Sequence, residues 1–280
     1  MATRRSLHIG LNSVDPDHYD GWDGTLMACE FDAADMQKLA ESRGFEPTKL
    51  LTQQATADVV IAAIEKAANE LSAGDFLFLT YSGHGGQVPD KNGEDEPDRS
   101  DETWVLYDRQ LIDDELYALW GKFEPGVRVL VLSDSCHSGS VLKDIDDKEA
   151  VPNVVADRET AAAQSPRRRA LPLDVMVKTY RAHADEYDAI QEAVPSSADT
   201  NVGASVLLIS GCQDDQLSMD GISNGLFTET LLGVWDEGRW HGPYASFHQA
   251  IVAKMPQEQQ PNLMQVGDSA SGFEAEDPLQ

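Results

Sequence analysis

Two short apolar runs stop abruptly in small and polar residues, and this pattern restricts the chain to few folds. The first run, 75–82, leads into a Gly-His-Gly sequence centred on His84, and the second, 127–135, ends at Cys136. Continuous apolar runs of this length are typical of strands that a parallel sheet buries on both faces. In open α/β sheets, chemistry lies just beyond the carboxyl ends of such strands. The sequence therefore places an imidazole and a thiol at two strand ends.

The segments before His84 alternate between strand and helix patterns. Strand-like residues at 6–11 and 48–52 alternate with helical spacing at 25–42 and 56–71. This β-α-β-α-β order predicts a doubly wound parallel sheet. Beyond His84 the pattern predicts a polar loop at 87–101, strands at 102–107, 205–210 and 262–266, helices at 112–123, 174–193, 227–235 and 244–254, and a frayed tail at 269–280.

Composition restricts the class of protein and its partners. The 280 residues suit one α/β domain, and no stretch approaches the roughly 18 apolar residues needed to span a bilayer. No apolar segment follows the two N-terminal arginines as in a signal peptide, so we expect a cytoplasmic protein without a membrane partner. Three cysteines fit free thiols in a reducing compartment. A formal charge of −28 argues against nucleic-acid binding and favours cationic partners.

His84 and Cys136 form the first candidate site. A cysteine nucleophile needs a nearby base to raise its thiolate population, and a histidine on a neighbouring strand end can supply one. The backbone N–H groups of Gly85 and Cys136 are candidate donors to an oxyanion. The alternative is a buried free cysteine and an unrelated loop histidine. Two strand-end motifs in matching context favour the catalytic interpretation.

The same motifs resemble those of a known peptidase family. Residues 81–85, Tyr-Ser-Gly-His-Gly, and residues 134–139, Asp-Ser-Cys-His-Ser-Gly, are similar to the catalytic motifs of metacaspases, within the caspase-like cysteine peptidases of clan CD. Residues 29–33 and 210–216 resemble two further segments of that family. The resemblance covers most of the chain, is weakest across 143–202, and points to a prokaryotic member.

The resemblance implies a fold and a division of the chain. We expect one caspase-like domain over 1–280, with three α/β/α layers around a central, mostly parallel six-stranded sheet. A p20-like part would span 6–142, a linker or insertion 143–202, and a p10-like part 203–268. Much of the linker is expected to be exposed.

The resemblance also implies a cysteine endopeptidase that cleaves protein substrates after arginine or lysine. His84 and Cys136 match the family's catalytic dyad, and His137 is assigned no catalytic role. The alternative is a catalytically silent caspase-like scaffold that binds basic partners through its acidic surface. The presence of both dyad residues disfavours the scaffold. Family resemblance further favours a monomer.

Specificity for a basic residue requires carboxylates in the pocket for the side chain before the cut, which is the P1 side chain. Asp32 and Asp134 match the family's pocket acids, and Cys29 and Ser82 match positions that line the pocket. From the residues alone, Asp32 could equally lie on a helix surface and Asp134 could only order the cysteine loop.

Acidic residues also form a candidate calcium site. Many metacaspases need Ca²⁺, which takes several oxygen ligands in irregular geometry, although some bacterial relatives do without it. Asp113 and Asp114 match the family's paired acids, and Asp98 and Asp144 are the further candidates. A solvated acidic loop is the alternative.

A basic cluster lies inside the predicted linker. Arg167, Arg168 and Arg169 fit the implied specificity and are candidate sites of autocatalytic cleavage, with Arg181 and Lys143 as other possible sites. The alternative is a basic patch that offsets local acidity.

Overall fold

A six-stranded sheet forms the centre of the protein. The computed structural model describes residues 2–91, 100–135, 168–212, 218–221 and 223–280. The strands are β1 Arg4–Gly10, β2 Glu46–Leu51, β3 Phe76–Ser82, β4 His84–Pro89, β5 Ser100–Val105, β6 Gln110–Ile112, β7 Arg128–Asp134, β8 Ser205–Ser210 and β9 Asn262–Gly267. The central sheet has the order β2-β1-β3-β7-β8-β9, and every neighbouring pair is parallel except β8 and β9. This confirms the predicted mostly parallel six-stranded sheet.

Helices cover both faces of this sheet. They are α1 Cys29–Ser42, α2 Ala57–Glu70, α3 Asp113–Trp120, α4 Leu173–Ala182, α5 Ala184–Ala193, α6 Leu226–Trp235 and α7 Tyr244–Val252. Apolar residues of α2 and α3 pack on one face in a single buried cluster. A second cluster joins α1, α6 and α7 to the opposite face. Side chains along each strand alternate between the two clusters, as the pleat requires. The three α/β/α layers match the predicted caspase-like fold.

The two central strands align the predicted catalytic motifs. Every residue of β3 is buried, and so is β7 after Arg128, because both faces of these strands are covered by helices. Their parallel register pairs Ser82 with Asp134. The segments that follow β3 and β7 therefore leave the sheet at the same edge.

A small antiparallel sheet, β4-β5-β6, adjoins this edge. β4 begins at His84 and pairs with β5 in a register that sets His84 opposite Val105. The polar loop predicted at 87–101 is therefore wrong for residues 87–89 and 100–101, which belong to β4 and β5. The glycines and the glutamine of β4 carry no apolar strand signal, and cross-strand pairing with β5 determines the conformation.

The described part of the predicted linker is folded, so the expectation of an exposed linker is wrong for 168–202. The helices α4 and α5 replace the single helix predicted at 174–193, with His183 at the junction. They cover the small sheet, where Tyr180 and Tyr187 pack with apolar residues of β4 and β6.

The chain's end also packs onto the core. Phe273 and Leu279 are buried in the cluster that holds α6 and α7, so the predicted frayed tail is wrong. Burial of a few aromatic and aliphatic side chains is enough to hold this otherwise polar segment against the core. Across the described ranges, no helix has the length and apolar character needed to cross a membrane.

Candidate active site

His84 is held at the turn between the central and small sheets. The hydroxyl of Tyr81 donates to the backbone carbonyl of His84 at 2.6 Å. Gly83 permits this turn, because a Cβ at that position would lie 2.6 Å from the Tyr81 hydroxyl oxygen. The tyrosine ring stacks on Trp104 with centroids 4.5 Å apart. The backbone of His84 is therefore fixed by buried aromatic packing.

The loop after β1 orients the imidazole. Nε2 of His84 lies 2.9 Å from the carbonyl oxygen of Gly24, so Nε2 carries the proton and donates to it. The ring of Trp22 packs against the imidazole with centroids 4.7 Å apart. This arrangement leaves Nδ1 with a lone pair, and Nδ1 is buried with no hydrogen-bond partner among the described residues. Gly24 and Trp22 carry no motif in the sequence and were not predicted.

Burial lowers the pKa of His84 to about 4, with the charge of Arg169 acting in the same direction. The backbone carbonyl of Gly24 and the backbone of Ala170 oppose this shift. The imidazole is therefore neutral at pH 7, which is the form that can accept a proton.

Three carboxylates converge on the guanidinium of Arg169, which is completely buried. Nη2 of Arg169 lies 2.7 Å from Oδ2 of Asp32 and 3.0 Å from Oδ1 of Asp220. Nη1 lies 3.0 Å from Oδ2 of Asp134 and donates to the Ser82 hydroxyl at 2.8 Å. These four partners come from α1, β3, β7 and the segment before α6.

Electrostatics match this geometry. Burial opposes the charge on Arg169, but Asp134, Cys29 and Asp32 together raise its pKa above the ordinary value. Burial raises the pKa of Asp32, with Asp134 adding to the rise and Arg169 opposing it. Burial likewise raises the pKa of Cys29 to about 12, so this residue is a thiol. Three carboxylates face one guanidinium, so negative charge surrounds this buried cation.

The carboxylates are fixed by donors of their own. Asp134 accepts from the hydroxyls of Ser218 and Thr228 at 2.6 and 2.8 Å. Asp32 accepts from the Gly225 N–H at 3.1 Å. Packing around the guanidinium is tight at Gly225, where a Cβ would lie 2.6 Å from both the guanidinium carbon and Asp134 Oδ2. The pocket therefore encloses the guanidinium closely and leaves no space for a side chain at Gly225.

The backbone around Arg169 pairs like an added β-strand. The N–H of Arg169 donates to the Ser218 carbonyl at 3.1 Å, and its carbonyl accepts from the Gly85 N–H at 3.0 Å. The N–H of Leu171 then donates to the Gly85 carbonyl at 2.8 Å. An extended segment held on both sides presents the peptide bond between Arg169 and Ala170 to the His84 edge.

The structure thus brings together six of the residues predicted for the site, which are His84, Gly85, Asp32, Asp134, Ser82 and Cys29. The other predicted dyad residue, Cys136, lies outside the described residues, as do Arg167, Asp98 and Asp144. Arg168 is exposed. Asp220, the third carboxylate, was missed because no motif surrounds it. It lies six residues before the start of α6, in the predicted p10-like part.

Asp113 and Asp114 lie apart from this pocket, at the start of α3. Asp114 Oδ1 accepts from the backbone N–H of Ser197 at 2.5 Å, and Asp113 Oδ1 accepts from the N–H of Asp114 at 3.0 Å. The two carboxylates belong to no group of three clustered metal ligands within the described ranges. They can contribute oxygen ligands to Ca²⁺ only together with ligands from elsewhere, such as the predicted Asp98 and Asp144.

The fold and the paired strand ends define a caspase-like protein, and comparison with known proteins agrees. The crystal structure of protein GSU0716 from Geobacter sulfurreducens is 51% identical to this chain, with a TM-score of 0.86 over 99% of this chain and 98% of that one. Caspase-1 from Spodoptera frugiperda, at 11% identity, shares the fold with a TM-score of 0.51 over 95% of this chain and 86% of that one.

A family model for the caspase domain matches residues 14–269. Metacaspase-1A of Aspergillus oryzae is 31% identical over 89% of this chain, which spans 63% of the length of that relative. The chain therefore belongs to the caspase-domain family of cysteine peptidases and is metacaspase-like.

Proposed function

We propose that the protein is a cysteine endopeptidase that cleaves after basic residues, with arginine preferred to lysine. One observation carries this proposal: a buried arginine of the chain itself fills a pocket of three carboxylates while its carbonyl accepts from the Gly85 N–H. The carbonyl of the peptide bond after Arg169 therefore lies against the N–H group that was predicted to donate to the oxyanion.

The chemistry follows from the proposed dyad. Nδ1 of His84 first takes the proton of the Cys136 thiol. The resulting thiolate attacks the carbonyl carbon of the P1 residue, and the Gly85 N–H donates to the oxygen as it gains negative charge. The carbon–nitrogen bond then breaks, and the leaving amine takes a proton from His84. Water hydrolyses the resulting thioester, and the proton it releases returns to the imidazole. The Gly24 carbonyl fixes the ring so that Nδ1 rather than Nε2 serves the reaction.

Arginine fits the pocket better than lysine. The two terminal nitrogens of Arg169 reach carboxylates on different elements, Asp32 and Asp220 on one side and Asp134 on the other. The single ammonium group of lysine is a point charge that cannot span these partners. Because lysine can make only part of these contacts, we expect kcat/KM to be roughly 10- to 100-fold higher for a P1 arginine than for a P1 lysine.

The same contacts support autocatalytic cleavage between Arg169 and Ala170. Of the two candidate arginines that the structure describes, Arg169 has a buried side chain and Arg168 is exposed. Until this bond is cut, Arg169 excludes any other P1 side chain from the pocket. Self-cleavage therefore precedes cleavage of other proteins.

A set of matched fluorogenic peptides tests the activity. Three peptides would differ only in P1, which is Arg, Lys or Asp. The Arg peptide should have a higher kcat/KM than the Lys peptide, and the Asp peptide should not be cleaved. Cys136→Ala should lower kcat by roughly 10⁴-fold or more. Equal turnover of the Arg and Asp peptides would refute the specificity, and full activity of the Cys136→Ala protein would refute the mechanism. Absence of turnover with any basic P1 peptide, with and without Ca²⁺, would favour the silent scaffold.

Calcium dependence is a separate part of the proposal. Asp113 and Asp114 would supply ligands, together with Asp98 and Asp144. Bound calcium would supply positive charge that ties the acidic segments together, and no catalytic step needs to pass through the ion.

A further inference from the structure

Two histidines and a glutamate meet where the loop after β1 touches the helix pair α4 and α5. The rings of His18 and His183 stack with centroids 4.0 Å apart and planes inclined by 17°. Glu186 lies one turn beyond His183, with its Oε2 3.6 Å from the histidine Nδ1. One ligand atom from each of the three side chains lies within 4.8 Å of the other two. Neither the dyad nor the carboxylate pocket uses these residues.

The spacing of His183 and Glu186 suits two ligands of one metal ion. Ligand atoms about 2.1 Å from a tetrahedral zinc ion lie about 3.4 Å apart. The observed 3.6 Å is close to that value and too long for a good hydrogen bond. Both side chains are partly exposed, at 32% and 46%, so an ion can reach them and they can turn to close the remaining distance.

One ring nitrogen of His18 already has a partner, and the partly exposed His183 ring must turn out of the stack to direct its lone pair at the same ion. Nε2 of His18 lies 2.9 Å from the Tyr187 hydroxyl, whose oxygen also accepts from the Gln110 N–H at 3.1 Å. A partner on one ring nitrogen fixes the ring and leaves the other nitrogen for a metal. Burial, and next the adjacent His183, lower the pKa of His18 to about 4, so the ring is in the neutral, metal-binding form at pH 7.

We propose that His18, His183 and Glu186 form a zinc site whose fourth ligand is water. Two imidazoles and one carboxylate are a donor set that zinc binds with an open position. The site joins the loop that carries Trp22 and Gly24 to the helices that follow Arg169. An ion pair of 2.9 Å between Lys178 and Asp20 crosses the same junction. Zinc therefore holds α4 and α5 against the loop that orients His84.

The test is a zinc titration of the untagged, full-length Cys136→Ala protein, in which the predicted nucleophile cannot compete for the ion. Zinc is added in competition with a chromophoric chelator to this protein and to its His18→Ala, His183→Ala and Glu186→Gln derivatives. We expect one zinc ion per chain and an affinity that falls by at least about tenfold in each derivative. His241→Ala is the matched control, because that side chain is 80% exposed and lies elsewhere, and it should leave the affinity unchanged.

Cobalt gives a second readout that does not depend on affinity. Co²⁺ at this site should show the visible bands of four-coordinate nitrogen and oxygen ligation without thiolate charge transfer, and Glu186→Gln should alter them. Because Glu186 is exposed, that variant should fold, as thermal unfolding would verify. Absence of zinc binding to the Cys136→Ala protein, or equal affinities of the His183→Ala and His241→Ala derivatives, would overturn the proposal.

Discussion

Two groups of acidic residues in this protein differ in what their carboxylates bind. One is the pocket of Asp32, Asp134 and Asp220, whose members are buried and face a single guanidinium. The other is the adjacent pair Asp113 and Asp114, whose carboxylates accept backbone N–H groups. The two neighbouring acids bind backbone N–H groups, those of Asp114 and Ser197, whereas acids from three distant segments bind a cation. Convergence in space, rather than acidity along the chain, is therefore what supports the proposed specificity pocket.

The largest expected effect comes from removing one pocket charge. Asp134→Asn should lower kcat/KM for a P1 arginine peptide by about 100-fold or more, because a buried partner of the guanidinium is lost. Asp113→Asn is the matched control in the other acidic region and should change kcat/KM for that peptide by less than about tenfold at saturating calcium. Steady-state kinetics on both variants measures the two effects. An equal loss of kcat/KM in the two variants would show that the two acidic groups do not differ in function.

A glycine substitution tests the shape of the pocket without altering its charge. Gly225→Ala should raise KM for arginine peptides and lower kcat/KM by about tenfold or more, because its Cβ would overlap the guanidinium and Asp134. Gly233→Ala, in the same helix region, is the control, since a Cβ there meets no atom within 4 Å. If both variants bind and cleave the peptide like the wild type, Arg169 does not mark the substrate pocket.

The sequence predicts much of this arrangement because strand ends are local features. Apolar runs fixed β3 and β7, and parallel pairing then brought Ser82 beside Asp134. Asp32 was predicted through a resemblance, since nothing local distinguishes a buried aspartate in an amphipathic helix from an exposed one.

Other parts of the site depend on contacts that no local pattern encodes. Asp220 is placed by contacts between two distant segments, the loop before α6 and the residues that precede α1. There it accepts from the Met27 N–H at 2.8 Å. Gly24 contributes only a carbonyl, which any residue carries. The folding of 168–202 was missed because its buried tyrosines and Leu171 are separated by charged residues. The partners of the tyrosines lie on β4 and β6, and those of Leu171 lie in the loop after β1 and on β5.

The pH dependence of the free energy of unfolding distinguishes the buried His84 from a histidine on the surface. The folded pKa of His84 is about 4 and the unfolded value about 6.5. Below pH 6.5 the unfolded chain binds a proton that the folded chain does not, so stability falls as the pH drops from 6.5 toward 4. This one group should lower the free energy of unfolding by about 2 kcal/mol between pH 7 and pH 5.

Denaturant unfolding of the Cys136→Ala protein at several pH values measures this loss. His84→Asn should reduce the pH dependence by the contribution of this one group, because the lowered pKa values of His8 and His18 act in the same direction. His241→Asn, on the surface, should leave the pH dependence as it is. An unchanged slope in the His84→Asn derivative would contradict the burial of a neutral imidazole there.

The smallest expected effect concerns calcium at the second acidic region. If Asp113 and Asp114 bind calcium with Asp98 and Asp144, millimolar Ca²⁺ should raise the Tm of the Cys136→Ala protein by a few degrees. Asp113→Asn should remove that rise, and Glu258→Gln, an exposed acid elsewhere, should preserve it. A Tm that does not respond to calcium or to a chelator would reject the calcium site.

The most direct test of the pocket is the mass of the fragments that the protein produces from itself. After incubation of the wild-type chain, intact mass spectrometry should find a fragment ending at Arg169 and a second beginning at Ala170. Arg168→Ala should leave this cut unchanged, whereas Arg169→Ala should abolish it. Cleavage after Arg168 instead, or undiminished cleavage of the Arg169→Ala protein, would contradict the assignment of the three-carboxylate pocket as the P1 site.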